Sequence, residues 1–338
     1  MQIKSKDIKK IILLVLVILA AVFFMSACSV ISDYHGSSKG GVRTVTVAAG
    51  SGTAQIAEAL EEQGIIKNPF WFRVFSKLGG HDGRYQPGIF TLHENAGYQE
   101  IFKMLTQPPE TQFVTVTIPE GFELWQIADK LEQVGLIDRD RFYEAVENGQ
   151  FDYEFLRDIP QRENRLEGYL FPDTYQFMYG ESEETIIDKM LARFDEVYTD
   201  EYENRAKALG MTNDELITLA SIVEREAQGD DDRTLVASVF HNRLKSTQYP
   251  YLQSCATVQY ILKERKTVLS VADTKIDSPY NTYQNPGLPK GPIASPGKEA
   301  IEAALYPAKT DYLFFVLDSS GKHRFAKTFA EHQENMRK

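Results

Sequence analysis

Two glutamates flanking an arginine, Glu224-Arg225-Glu226, close the apolar stretch Leu216-Ile-Thr-Leu-Ala-Ser-Ile-Val223. On a helix stepping about 100° per residue, Glu224 lies about 100° from Val223, between Ala220 and Ile217, and Glu226 lies about 60° to the other side. Each sits at a border of the apolar arc formed by Leu216, Leu219, Ala220 and Val223, while Arg225 is predicted to face solvent. A carboxyl half sunk among Ala and Ile loses hydration and its pKa rises, which suits a general acid near neutral pH. A surface glutamate serving solubility or pairing with a base is the plain alternative for either. Other chemistries lack their residues. The six His are dispersed, no HExxH occurs, and two Cys make no zinc set. GxGxxG, GxxxxGK[ST] and GxSxG are all absent. No metal and no cofactor is expected.

The helix that carries these glutamates is predicted from a capping box, Thr212-x-x-Glu215, to Ala227, before Gln228-Gly229. Residues 278–297 hold five of the fourteen prolines and three glycines, so they read as an ordered irregular loop. Tyr312–Leu317 has the length of a buried strand, and a turn at Asp318–Gly321 leads to a short strand, His323–Ala326. A second capping box, Thr328-x-x-Glu331, opens the last helix, with Glu331 and His332 read as a structural pair at its start.

The N-terminal half contains a duplication. Val45-Thr46, Gly50, Gln55-Ile-Ala57, Leu60-Glu61, Gly64 and Ile66 recur 71 positions later as Val116-Thr117, Gly121, Gln126-Ile-Ala128, Leu131-Glu132, Gly135 and Ile137, ten identities in 22 positions. Each copy reads as an alternating strand, a Gly turn and a helix ended by Gly, a βα module. Between the copies, Phe70-Trp71-Phe72 and Phe75 form an aromatic stripe that suits either a core or a sugar platform. A boundary is expected near Asp158–Asn164.

Upstream, Ile11–Ala27 is seventeen residues without a charge, just long enough to span a bilayer as a helix. Lys4, Lys6, Lys9 and Lys10 precede it, and the chain beyond residue 28 carries 33 bases and 47 acids, or −14. The positive-inside rule then keeps the first ten residues in the cytosol and sends the body out. Met25-Ser-Ala-Cys28 resembles a lipobox with Met in the usual Leu place. Two readings stay open, an uncleaved single-pass anchor and lipid attachment at Cys28. Residues 29–41 read as a flexible linker. An exported body with only Cys28 and Cys255 must rely on its core rather than on an internal disulfide. At 338 residues, 43% hydrophobic and 25% charged, the chain is globular with at least two folding units. Its net charge of −11 argues against nucleic acid as a partner.

Several ordered strings carry a resemblance: Leu166-Glu-Gly-Tyr-Leu-Phe-Pro-Asp-Thr-Tyr175, Leu219-Ala-Ser-Ile-Val-Glu224-Arg-Glu226, Val239-Phe-His-Asn-Arg-Leu244, Leu252-Gln-Ser254, Thr257-Val258, Tyr280-Asn-Thr-Tyr283 with Gly287-Leu-Pro289, and Pro307-Ala308 followed by Tyr312-Leu-Phe-Phe-Val316. Together they resemble the YceG-like (MltG) endolytic murein transglycosylases over nearly the whole chain. The resemblance implies cleavage of nascent peptidoglycan strands, with Glu224 catalytic, Glu226 supporting and no cofactor. It also implies that Glu167, Asp173, Gln253, Asn281 and Thr282 offer hydrogen bonds to sugar, and that Tyr169, Phe171, Tyr280 and Tyr283 offer flat faces. The plain alternatives are a turn at Phe171-Pro-Asp173 and a proline-stiffened loop around Tyr280. Two positions depart from the family's pattern, Cys255-Ala256 where Asp-Pro is common and Lys290 where a second Pro is usual.

The expected architecture is α+β. Residues 1–28 form a cytosolic tail with a membrane or lipoprotein-signal segment and 29–41 a linker; 42–160 form a LysM-like βα repeat region and 161–338 an α+β catalytic domain. The expected partners are glycan strands, the membrane through residues 11–27, and the cell-wall synthesis machinery. The expected place is a bacterial cell membrane, with the catalytic domain on its outer side. A membrane-tethered glycan-binding or scaffolding protein without activity is the second reading, which the intact Glu224 motif argues against. A pyridoxal phosphate enzyme is disfavoured by the exported body and the lack of a recognisable lysine site.

Overall fold

The computed structural model describes residues 29–36, 41–48, 50–109, 113–157, 159–178, 181–227 and 230–338. The apolar segment 11–27 and Cys28 lie outside the described residues. Among the described residues, no helix is long and apolar enough to cross a membrane.

The chain is α+β and forms two compact units. The first comprises the described residues up to Val114 with Gln133–Asp138 and Gln176–Glu181; the second comprises Thr115–Glu132, Arg139–Tyr175 and Ser182–Lys338. In the first, β1 (Val42–Val47) runs antiparallel to β2 (Gly88–His93), from Val42 opposite His93 to Val47 opposite Gly88. Between them lie α1 (Thr53–Glu62) and α2 (Pro69–Leu78), and α3 (Tyr98–Leu105) follows. Val45, Ile56, Leu60, Phe72, Phe90 and Phe102 share its core. The duplicated module is therefore longer than a strand and a helix: it is strand, helix, helix, strand. The second copy repeats this order with β3 (Phe113–Thr117), α4 (Leu124–Gln133), α5 (Arg139–Asn148) and β4 (Thr174–Met178), which pairs with β3. Its closing strand comes late because residues 149–173, with much of the Leu166–Tyr175 string, intervene. Of the aromatic stripe, Phe72 is fully buried while Phe70 and Trp71 are exposed.

The stretch after Cys28 is not a free linker throughout. Residues 29–35 are helical, and the buried Asp33 accepts the Lys67 N–H at 2.8 Å and the Asn68 amide at 2.9 Å. The carboxylate thus holds the backbone N–H just before the N-cap of α2 and the N-cap side chain itself, which fixes this segment to the fold.

In the second unit, α6 (Glu183–Val197) and α7 (Asp200–Leu209) lead to α8 (Asn213–Glu226). Thr212 caps α8 through the reciprocal box with Glu215. The expected one-sided apolar arc understates this helix, because Leu216 to Val223 are all buried. Neighbours surround it: α7, α9 (Asp230–Lys245), α10 (Cys255–Leu262) and α11 (Lys298–Leu305) all pack on it. A helix apolar around its girth is stable only inside such a jacket. Its entrance is also tied, since Asp214 accepts two hydrogen bonds from Arg162, both at 2.6 Å, and one from the Tyr169 hydroxyl at 2.8 Å. The 278–297 loop is irregular as expected, and residues 291–297 are buried. The chain ends with the hairpin β5 (Phe314–Leu317) and β6 (His323–Ala326), then α12 (Phe329–Asn335), whose capping box from Thr328 to Glu331 forms as predicted.

Leu219 has no exposed surface, so Leu219→Ala should destabilise the fold by about 2–5 kcal/mol. Thr212→Ala, which removes only the cap, should cost about 1 kcal/mol. Urea midpoints at unchanged slope measure both.

Candidate active site

Glu224 occupies the last turn of α8, and its side chain is 8% exposed. Its Oε2 accepts the N–H of Gly297 at 3.1 Å, and Gly297 is the N-cap of α11. Arg233 Nη2 of α9 stands 3.9 Å from Glu224 Oε1 and also 3.9 Å from Glu120 Oε2, so two carboxylates share one guanidinium. Gly121 lies against the Glu224 stem, its backbone left-handed at φ +71°. A side chain on Gly297 would meet the Glu120 carboxylate, which would have to move from its present place. The 121 and 297 segments are joined by a reciprocal pair, Gly121 N–H to Ser295 O and Ser295 N–H to Phe122 O, both 2.8 Å.

Burial is the largest influence on the Glu224 carboxyl and pushes its pKa up from 4.5; the Gly297 N–H pulls it down, Glu120 pushes it up, Arg233 pulls it down and Glu299 pushes it up. The balance is a raised value. The site thus holds a carboxyl that keeps its proton above the usual carboxylate range, at the negative end of a helix.

Arg225 does not face solvent. Its Nη1 pairs with Glu123 Oε1 at 2.8 Å, with both side chains 5% exposed or less, and Glu123 also accepts the Trp125 indole N–H at 2.7 Å. The second repeat copy covers this end of α8, a cover that helix periodicity alone does not reveal. Glu226 is engaged differently from Glu224. It accepts the Ser254 hydroxyl at 2.5 Å and the Ala256 N–H at 3.3 Å, at the start of α10. That makes it a brace between two helices.

Glu120, Glu123, Arg233 and Gly297 escaped the sequence reading. The one sequence signal was the repeat itself: Pro119-Glu120 stands where the first copy has Ala48-Ala49.

Residues 45–338 match the YceG-like family. The chain belongs to that family. The endolytic murein transglycosylase of Bacillus subtilis (strain 168) is 34% identical over 322 residues, covering 92% of this chain and 88% of that protein. The one of Streptococcus pneumoniae serotype 2 is 33% identical over 320 residues, 87% of this chain and 57% of that protein. A crystal structure of a yceG-like protein from Listeria monocytogenes superposes with a TM-score of 0.59 at 32% identity, covering 87% of this chain and 98% of that one.

In this YceG-like chain, the other residues expected at the site fall into three groups. Gln253 and Tyr283 line a cavity of about 620 Å³ together with Glu226 and Cys255. Gln253 is held left-handed at φ 53°, its N–H donating to Thr282 O at 3.1 Å and its Oε1 accepting from Arg243 at 3.3 Å. Glu167 and Tyr280 line a second cavity, of about 820 Å³, with Trp125, Tyr143 and Tyr260. Burial, then Glu123, push the Glu167 carboxyl up to about 8, against hydrogen bonds from the Leu124 N–H and the Tyr260 hydroxyl. The rest lie elsewhere. Tyr169 has no exposed surface: its ring stacks on Phe155 at 5.8 Å and its hydroxyl serves Asp214, so it offers no face to a sugar. Phe171 is 5% exposed, its ring near Phe194 and beneath the Arg193 guanidinium. Asp173 pairs with Arg193 at 2.7 Å, and the Thr174 N–H is the main cause of its lowered pKa. Asn281 and Thr282 are buried too, and spend their polar groups on the backbone at Thr274, Ile276, Tyr283 and Ser254. Among the described residues no group of His, Cys, Asp and Glu gathers that could hold a metal ion.

A general acid must be protonated, so the rate should fall as pH rises through the Glu224 pKa. Glu120→Gln removes a neighbouring negative charge and should move that alkaline limb to lower pH. Arg233→Met removes the opposing charge and should move it to higher pH. Rate profiles of both variants against wild type measure the two shifts.

Proposed function

We propose that this protein is an endolytic murein transglycosylase in which Glu224 is the acid. The observation that carries the proposal is a buried carboxyl at the end of α8, held between the Gly297 N–H and the Arg233 guanidinium, in a chain about one-third identical to proteins of that name. The chemistry suits one carboxyl. Hydrolysing glycosidases use a pair flanking the bond, whereas a lytic enzyme lets the substrate supply its own nucleophile. Glu224 gives its proton to the oxygen leaving C1 of N-acetylmuramic acid. As a carboxylate it then takes the proton of the muramyl C6 hydroxyl while that oxygen attacks C1. The product is a 1,6-anhydro ring, no water is consumed, and Glu224 ends protonated for the next turnover. Cuts within nascent strands limit their elongation.

Arg233 gains importance at the second step, because a transient Glu224 carboxylate is stabilised by the guanidinium 3.9 Å away. Glu226 supports by holding α10 against α8. Gln253, Tyr280 and Tyr283 are suited to contact glycan from the two cavities, while the buried Glu167, whose oxygens already accept from the Leu124 N–H and the Tyr260 hydroxyl, braces the wall of one of them. Tyr169, Asn281 and Thr282 act indirectly, through hydrogen bonds that hold Asp214, the backbone at Ile276 and Ser254 in place, and Phe171 and Asp173 act through Arg193. The strand-helix-helix-strand copies serve as LysM-like glycan grips, the second of them extending past the expected boundary at 160 to the end of β4 at Met178. Residues 11–27 tether the protein to the cell membrane with its body outside, beside the synthesis machinery. Since the body is strongly acidic, recognition of an anionic wall rests on stacking and hydrogen bonds rather than on attraction of net charge.

Mass spectrometry of fragments from uncrosslinked peptidoglycan tests the reaction. Wild type should leave 1,6-anhydro-muramic ends and Glu224→Gln none. Reducing ends would instead mean hydrolysis by an additional carboxylate, and no cleavage by folded wild-type protein would favour a binding role.

A further inference from the structure

The exposed side of α2 combines two features that occur together at membrane surfaces. Phe70 is 64% exposed, Trp71 39% and Leu78 78%, with the Phe70 and Trp71 rings 5.4 Å apart. Around them, residues 63–81 hold Lys67, Arg73 and Lys77 and no acid, in a chain that carries −14 beyond residue 28. Exposed aromatics favour the interfacial layer of a bilayer, and Lys and Arg are drawn to anionic headgroups.

The course of the chain says which surface this patch meets. The Ser29 hydroxyl, two residues after the apolar run ends at Ala27, accepts the Asn68 amide at 2.9 Å, and Asn68 is the N-cap of α2. Phe70 and Trp71 follow directly. One turn on, Asp33 is held at the same place by the Lys67 N–H and the Asn68 amide, and the ring of Tyr34 lies 4.9 Å from that of Phe75. The emerging tether is thereby fixed at the end of α2 that bears the exposed rings. Ile31, 58% exposed, adds an apolar side chain to that short segment.

We infer that Phe70 and Trp71, flanked by Lys67, Arg73 and Lys77, seat the first unit on the anionic lipid surface from which the tether emerges. The inference rests on the reading of residues 11–27 as a membrane tether. It makes the attachment two-part, an apolar segment in the bilayer and an aromatic-basic foot on it, which limits how freely that unit pivots.

Full-length Trp125→Phe protein keeps Trp71 as its single tryptophan. It is reconstituted into phosphatidylglycerol nanodiscs with and without brominated acyl chains. Loss of Trp71 emission in the brominated discs is expected, with less loss in phosphatidylcholine and in an Arg73→Glu, Lys77→Glu variant. Should Trp125→Phe misfold by circular dichroism, the difference between wild type and Trp71→Phe gives the same readout. Protein that floats with the lipid while Trp71 stays unquenched overturns the inference and leaves the tether intact; the patch would then meet glycan or another protein copy. Protein that fails to float overturns the tether reading, and the inference falls with it.

Discussion

A helix buried on every side must still present one carboxyl at its last turn, and the architecture of the second unit follows from that demand. The apolar girth of α8 forces neighbours to wrap it, and those neighbours deliver the groups that tune Glu224: Gly297 from the start of α11, Arg233 from α9, Glu120 from the second repeat copy. Burial raises the carboxyl pKa, while the Gly297 N–H and Arg233 limit the rise. Fewer compensating groups would make the carboxylate form too costly for Glu224 to give up its proton in the first step; a more exposed site would lose the proton before that step.

Both ends of the helix are pinned, which matters because a general acid acts over hydrogen-bond distances. Arg162 and Tyr169 hold Asp214 at the entrance, and Glu123 holds Arg225 beside Glu224 at the exit. Paired buried charges of this kind add little net stability against an apolar alternative. Their value here is registry, since the exit pair ties the helix to the segment that also carries Glu120. The repeat copies have accordingly diverged. Both keep the glycine of their turn, Gly50 and Gly121, but only the second places a carboxylate before it, next to the shared guanidinium.

What the sequence showed plainly was local. The two capping boxes, the α8 boundaries and the irregular proline-rich loop depend on residues a few positions apart, and each appears in the structure. The duplication was visible as well, although its module is longer by a helix and a strand than its identities suggest, and the closing strand of the second copy is displaced by the 149–173 segment. Hidden were contacts that only topology creates. Glu123 and Arg225 are 102 positions apart, and Arg225 alone reads as an exposed base. Resemblance implied sugar contacts for Tyr169, Asn281 and Thr282, but each is buried and spends its polar groups within the protein, which no local sequence feature reveals.

The central claim is that Glu224 retains its proton where an ordinary glutamate has lost it. Its most direct test is the carboxyl C=O band of the folded protein, followed by infrared difference spectroscopy against Glu224→Gln as pH rises. The account predicts that the band assigned to Glu224 persists above pH 4.5, the ordinary midpoint. Disappearance of the band at or below that pH would contradict it and remove the physical basis for Glu224 as the acid.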